Sequence, residues 1–519
     1  MESCGLRRHS LLARFLLVLL FTVLGFAVMG YHPGLEDDGI YLAAVKADLN
    51  PALYAHNSGF FRLQLEATVF DGAITHFVRA TGIPVAWAEL FWQFVCLFTI
   101  LWACHSIARR LFACERAQWA GVAMVAAMFT LPVAGTALYL TDQHLHPRTV
   151  ATAMILLAMA RILDLSAGKN TDRRGSRRWL AIPLLLVALA MHPIMAAMGI
   201  SLCVFLTLAL MDSVHARVCA WIGPALSLRR AASQGVAAAA VPLSWIFEPA
   251  TPMWRQALNT RTYYYLYKWT WYEWLGALAP LLLFWLLGRA AEKRGNKLLA
   301  RFALAVFAYG VFQQSIAMIM LAPASWVRLT PLQPMRYLHL VYFCLTLVAG
   351  CLVGKYLLRA GVWRWAAYLV VINGSMLAWQ LTLFSTSPHL EMPGERAANP
   401  WLQAFAWIRG NTPEDAYFAL DPYYLRAPGD DYYGFRALAE RSQLADEIKD
   451  GAVVTQVPEL GPVWARQVAA EQGWEHFQLA DFERLKAEFG VDWVLVSYPQ
   501  PAGLTCPWHN SALTVCRVP

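Results

Sequence analysis

Residues 15–38 read FLLVLLFTVLGFAVMG, then YHPGL, then EDD: a run long enough to cross a bilayer, a short exit, and three consecutive carboxylates at 36–38. About 20 apolar residues in a helix span a hydrocarbon core roughly 30 Å thick. Acids placed where the chain has barely left lipid are costly, and by default they raise a functional hypothesis. Working outward, about eleven apolar segments follow one another from Arg14 to about Phe384, and the last 135 or so residues turn polar and acidic.

Composition agrees. The chain is 58% hydrophobic and only 15% charged, and its 22 Trp suit a membrane protein because Trp and Tyr favour the membrane–water boundary. The net charge of +8 is unevenly spread. The tail after Ser385 holds about 18 acidic and 10 basic residues, leaving the first 384 residues with an excess of about 16 positives. Those positives sit in short loops between spans, as the positive-inside rule expects, so no nucleic-acid partner is expected.

The loops set a topology. Arg7, Arg8 and Arg14 hold the N-terminus in the cytoplasm, and span one (15–30) is expected as a retained anchor rather than a cleaved signal, since no A-x-A-like site follows. Spans are expected at 85–107, 118–140 and 148–165, with Arg109, Arg110 and Arg116, then Lys169, Arg173, Arg174, Arg177 and Arg178 on the cytoplasmic side. The apolar run 179–211 is too long for one span and is divided by His192-Pro193, because proline removes a helical hydrogen bond and disfavours helix before it. Arg217, Arg229 and Arg230 mark the cytoplasm again. Span seven (233–247) leads to an aromatic outer loop, 248–271, with Tyr263, Tyr264, Tyr265 and Trp269. Span eight (272–288) returns to Arg289, Lys293, Arg294, Lys297 and Arg301. Span nine exits at Pro323, span ten (335–354) returns to Lys355, Arg359 and Arg364, and span eleven (365–384) exits. An odd number of crossings puts the tail outside, in the periplasm of a two-membrane bacterium. The expected fold is an α-helical polytopic membrane protein with a small C-terminal extracytoplasmic α/β domain. Its divisions are 1–384 in the membrane with a long first outer loop at 31–84, a proline-marked linker at 385–400, and the domain at 401–519.

In the tail, 401–409 is expected as a helix and 417–420 as a strand; 435–448, 463–472 and 481–489 are expected as helices. VDWVLVSY at 491–498 is the most convincing strand, with 513–517 as its partner. Eight of the ten cysteines lie in or beside spans and read as small buried hydrophobes. Cys506 and Cys516 flank a short turn and can staple the last hairpin in an oxidising compartment, or remain two thiols.

The chain has no phosphate-binding P-loop, no dinucleotide fingerprint, no H-E-x-x-H, no G-x-S-x-G and no paired C-x-x-C, which disfavours an ATP-driven pump or a soluble cofactor enzyme. What remains is polar residues at outer membrane edges. Glu36, Asp37 and Asp38 can hold a divalent cation, or one can act as a base; the bland alternative is a solvated helix cap. The loop that follows, to Pro84, is mostly amphipathic and expected to lie along the outer membrane surface. Asp142, His144, His146 and Arg148 share one short outer turn, where imidazole and carboxylate can bind metal or phosphate and Arg148 offers a planar fork for phosphate oxygens; alternatively His146-Pro147 merely opens a helix. His192 can be a ligand or only part of a proline break. Arg336, with Arg328 in the same loop, can hold a lipid phosphate or snorkel to headgroups. In the tail, 430–436 (DDYYGFR) and Arg441 form the most polar–aromatic stretch.

An N-in first span, acids in a long first outer loop at Glu36-Asp37-Asp38, many short-looped spans and an extracytoplasmic α/β tail resemble the GT-C superfamily of membrane glycosyltransferases. That superfamily includes protein O-mannosyltransferases, oligosaccharyltransferases and lipid A aminoarabinose transferases. The resemblance implies a polyprenyl-phosphate-linked sugar donor, an extracytoplasmic acceptor, and Asp37 or Asp38 as the catalytic residue. It also implies a divalent cation (Mg or Mn) at Glu36, Asp37 and Asp38, and Arg148 and Arg336 as phosphate-binding equivalents, with His144, His146 and His192 beside them. It places the protein in the cell (inner) membrane as a multi-pass enzyme. The chain departs from the pattern in lacking the W-W-D-Y-G signature of oligosaccharyltransferases and any D-x-D, because the two Asp are adjacent. A secondary transporter or flippase, and a non-enzymatic envelope-assembly protein, are the rival classes.

Overall fold

The computed structural model describes residues 10–166, 178–212, 250–321, 324–358, 361–426 and 432–519. Expected features at Arg7, Arg8, Lys169, Arg173, Arg174, Arg177, Arg217, Arg229, Arg230, span seven (233–247), Pro323, Arg359, Asp430 and Asp431 lie outside the described residues.

The chain is mostly helical. Among the described residues, seven helices are long and apolar enough to cross a membrane, including Leu11–Met29, Val85–Leu111, Pro193–Leu210, Lys297–Leu321 and Val362–Leu383. Their outward faces carry exposed Leu16, Leu20, Leu282, Val370 and Trp363, which is what lipid rather than water would tolerate. Between them, small residues allow close crossing. A Cβ on Gly121 would stand 2.8 Å from the Leu347 carbonyl, and one on Gly350 would stand 2.7 Å from the Ala120 carbonyl.

The break at 192–193 is where the sequence puts it, between helices Ala181–Met191 and Pro193–Leu210. The expected span 118–140 is different. Its helix, Glu115–Ala127, stops after 13 residues, and Pro132–Val133 and Leu138–Tyr139 form a small antiparallel hairpin instead. Pro132 lacks a helical donor, while Gly135 (φ +65°) and Ala137 (φ +51°) take left-handed turn conformations. Gly135 also faces Trp269 so closely that a Cβ would meet its ring at 2.5 Å. The hairpin delivers the 141–146 turn to the end of the bundle where the 31–38 segment lies, the His32 N–H donating to the Gln143 carbonyl.

The tail is a five-stranded mixed sheet in the order Ser442–Gln443, Tyr417–Leu420, Trp493–Ser497, Leu513–Arg517, Thr505–His509. The two strongest sequence strands pair antiparallel, Leu495 opposite Val515, and a disulfide joins Cys506 to Cys516. Helices Pro400–Asn411, Gly461–Ala470 and Leu479–Phe489 sit within a residue or two of expectation. The expected helix 435–448 is cut to Phe435–Ala439 because Glu440 turns left-handed (φ +55°). Arg441 is then locked onto the Arg409 and Thr412 carbonyls, and the chain enters the strand at Ser442.

This sheet unit is tied to the segment that follows the first apolar helix. The Gly434 N–H donates to the Gly34 carbonyl, Lys46 Nζ reaches the Ala437 carbonyl and Glu440 at 2.7 Å each, and Tyr54 donates to the Arg436 carbonyl at 2.7 Å. Gly39 and Gly434 touch backbone to backbone; a Cβ on Gly434 would lie 2.5 Å from the Gly39 Cα. Trp254, from the aromatic segment 250–271, donates to the Thr455 carbonyl and closes the other flank.

Candidate functional site

Two His-Pro pairs open two helices. His146 caps Pro147–Ile162, its Nδ1 accepting the Arg148 N–H at 2.9 Å, and His192 caps Pro193–Leu210, its Nδ1 accepting the Met195 N–H at 3.3 Å. Each histidine is thus a helix cap with proline at the first turn. Yet the two rings lie 6.2 Å apart, so capping also brings two positive helix ends to one place. Because His146 Nδ1 accepts, its neutral ring carries the proton on Nε2, which faces Asp37 Oδ2 at 3.7 Å. Tyr41 packs edge-on to the same ring, centroids 4.9 Å apart.

Arg148 forks onto Asp142. Nε donates to Oδ2 at 3.2 Å and Nη2 donates to Oδ1, while Thr149 Oγ1 also donates to Oδ2. The pair is nearly sealed, with side chains 6% and 8% exposed. Burial opposes charge on Asp142, but the Arg148 guanidinium outweighs it and holds the carboxyl well below the usual range. Gln93 donates to the Asp142 carbonyl at 2.7 Å, fixing the turn from a neighbouring span. Arg336 lies on the short turn Pro334–Tyr337, entered through Gln333 in a left-handed conformation (φ +46°) and tied by Gln333 to Tyr264. Its field reaches Tyr41, His192 and His339, and its buried Nε has no hydrogen-bond partner among the described residues.

The three acids separate. Glu36 sits at φ +54°, a left-handed conformation that costs a residue with a Cβ about 1–2 kcal/mol. Its Oε2 accepts from Lys449 Nζ at 2.8 Å, and the same ammonium reaches Asp37 Oδ1 at 3.0 Å. Asp37 thus stands between Lys449 and His146. Burial pushes its carboxyl up, and Lys449 leads the groups that overcome burial and hold it well below the ordinary range, so it is ionised at neutral pH.

Asp38, expected with Asp37 as a catalytic or metal-binding group, lies apart from it in the structure. It starts helix Asp38–Leu49, its Oδ2 accepts the Gly34 N–H, and it is buried against Glu89 and His144. Successive side chains at a helix start fan about 100° apart, so consecutive acids do not converge on one point. Burial raises the Asp38 carboxyl. His144 goes with Asp38; its ring is 2% exposed, and neither nitrogen has a hydrogen-bond partner among the described residues.

The metal set Glu36, Asp37 and Asp38 therefore does not fit a bound ion. Lys449 occupies the space between the first two, the third is turned away, and no group of three or more His, Cys, Asp or Glu among the described residues is placed to hold one. Lys449, Glu89 and His339 were not legible as site residues. His339 gives Nε2 to the Leu140 carbonyl at 2.9 Å, beneath Asp142 and Arg148.

No protein-family model matches the chain, and no curated protein matches it by sequence. Among solved structures, the chain is similar to the oligosaccharyltransferase of Archaeoglobus fulgidus, a member of the GT-C superfamily, in its apo form. That likeness has 11% identity and a TM-score of 0.45 over 95% of this chain and 70% of that one. It is also similar to the archaeal oligosaccharyltransferase AglB from the same organism in complex with an inhibitory peptide and a dolichol-phosphate (12% identity, TM-score 0.43, 94% and 70% covered). A third likeness is to the A. fulgidus enzyme complexed with Zn and sulfate (11% identity, TM-score 0.44, 93% and 68% covered).

Proposed function

We propose that this chain is an integral membrane glycosyltransferase that moves a sugar from a polyprenyl-phosphate donor to an extracytoplasmic acceptor. The observation that carries the reading is the placement of Asp37. An ionised, partly exposed carboxylate lies between Lys449 and His146, beside two helix N-termini, with Arg148 and Arg336 in the same cluster. That arrangement supplies an acceptor-facing anion next to a pre-set positive region, the two charges that glycosyl transfer from a lipid phosphate needs.

In this mechanism the acceptor oxygen attacks the anomeric carbon as the carbon–oxygen bond to phosphate breaks, and the phosphate leaves with the bonding pair. Asp37 accepts a hydrogen bond from the acceptor O–H and orients it; its depressed pKa makes it a weak base, so the proton is shared and then lost to water. Arg336, the two helix ends and the His146 and His192 rings face the departing phosphate. Arg148 is committed to Asp142 and holds the turn in place. Asp38 and His144 support the loop from beneath. No step is routed through a metal.

The topology belongs to the same reading: about eleven crossings, an N-terminus in the cytoplasm of a bacterial inner membrane, and residues 401–519 outside as an acceptor-facing domain beyond the linker 385–400. The test compares native and Asp37→Asn protein at matched levels in host membranes, profiling polyprenyl-phosphate sugars and envelope glycans. Accumulated lipid-linked sugar and a missing glycan in the variant alone are expected. Unchanged profiles, with loss of the protein still harmful, would shift the reading to transport or scaffolding.

A further inference from the structure

Two carboxylates close together in a partly desolvated place need positive charge, and a free divalent ion is the usual source. Here the charge comes from within the chain. Lys449 Nζ lies 2.8 Å from Glu36 Oε2 and 3.0 Å from Asp37 Oδ1, with its own side chain 7% exposed against 31% and 38% for the acids. Its three N–H donors on a compact ammonium suit two carboxylates at once.

The position of Lys449 is over-determined. It begins helix Lys449–Gln456, and its backbone N–H donates to Asp446 Oδ1. Asp450 is clamped by Arg436 at 2.7 and 2.8 Å, and Arg261 from the aromatic outer loop donates to the Ile448 carbonyl. Lys46 and the Gly39–Gly434 contact seat the whole unit on the first loop. The ammonium is therefore a fixed part of the docked C-terminal unit.

We propose that Lys449 is the built-in cation of the Glu36–Asp37 site, standing where a divalent metal would otherwise bind, so that docking of the C-terminal unit completes the site and no metal is needed there. The catalytic consequence rests on the glycosyltransferase reading; the metal-binding consequence does not. A divalent ion would have to expel a buried ammonium, and the third carboxylate that would repay this, Asp38, is engaged with Gly34.

The experiment titrates Mn2+ alone into the purified full-length protein in detergent, by calorimetry and by thermal shift. Native protein is expected to show no Mn2+ binding that depends on Asp37. Lys449→Met is expected to melt lower and to be restored in part by Mn2+, with the restoration lost in Lys449→Met/Glu36→Gln. Lys449→Arg should stay indifferent to Mn2+. Native binding of Mn2+ that disappears in Asp37→Asn overturns the proposal, and that titration decides the matter even if Lys449→Met does not fold. A folded Lys449→Met that melts like native and ignores Mn2+ overturns it too. Transfer measured in the same preparations should survive EDTA; transfer abolished by EDTA and restored by Mn2+ also overturns it. Absence of transfer under every condition counts against the glycosyltransferase reading, and the Mn2+ titrations still decide this one.

Discussion

Lys449 and Asp37 are 412 residues apart in the chain and 3.0 Å apart in space. One belongs to the C-terminal sheet unit and the other to the segment that follows the first apolar helix. The two parts share their cores: Leu35, two residues before Asp37, packs into the tail's apolar cluster, and Val453, from the helix that Lys449 begins, packs with Ile40 and Tyr41.

Asp37 and Asp38 should separate cleanly on mutation, because one is at the site and the other is buried beneath it. Asp37→Asn is expected to lower transfer by roughly 10²–10⁴-fold, the range for losing a positioned proton-handling group, with little change in melting temperature. Asp38→Asn keeps an oxygen for the Gly34 N–H and the size of the buried side chain. It should cost far less activity. Transfer rates and melting curves of both variants check this, and equal losses would return Asp38 to the site.

The Asp142–Arg148 fork makes a prediction about stability. Removing one member of a buried ion pair leaves a lone buried charge and costs about 3–5 kcal/mol, whereas replacing both with apolar groups of similar volume is often neutral. Asp142→Ala should therefore destabilise strongly, and Asp142→Leu/Arg148→Met should recover most of the loss without recovering transfer. Denaturant or thermal unfolding of the three proteins is the measurement. A double variant as unstable as the single one would mean that the fork contributes more than charge balance.

Much of this was readable from residues, and the failures have definite causes. Long apolar runs carry a bilayer-length signal, and His146-Pro147 and His192-Pro193 announce helix starts by the chemistry of proline and a capping acceptor. The hairpin at 132–139 was missed because its residues are as apolar as a span; Pro132 and the left-handed Gly135 and Ala137 distinguish it, and Gly135 is held against Trp269. The false helix through 448 continued past Glu440 because nothing local reveals that Arg441 will be claimed by the Arg409 and Thr412 carbonyls. The metal set read adjacency in sequence as convergence in space. Lys449 has no neighbouring signal at all, since its partners come from the other end of the chain.

Asp446 gives the docked unit a pH dependence. Burial, and then the charge of Asp450, lift its carboxyl to about 7. A carboxyl whose folded pKa is raised binds its proton more tightly in the native state, so its favourable contribution is complete in acid, and is lost as pH rises from the ordinary aspartate range through about 7. The melting-temperature difference between native and Asp446→Asn should therefore shift in favour of the variant from pH 5 to pH 8. His146, lowered to about 4 chiefly by burial, titrates in both proteins and cancels in that difference. A difference that stays flat with pH would show that Asp446 is ionised throughout.

Gly434→Ala tests whether docking and catalysis are one event. The position has an ordinary φ of −70°, so alanine introduces no backbone strain, only a Cβ 2.5 Å from the Gly39 Cα. Backbone cannot yield as a flexible side chain would, and the two segments must part by roughly the overlap, about 1 Å against a normal carbon contact. That displacement acts on the seam where Gly434 bonds to Gly34 and, through the same unit, on the placement of Lys449. Transfer should fall at least tenfold, and limited proteolysis should cut the 385–400 segment faster, while Gly410→Ala, with nothing near its Cβ, should change neither. If Gly434→Ala loosened the C-terminal unit and left transfer intact, the site would be complete without it.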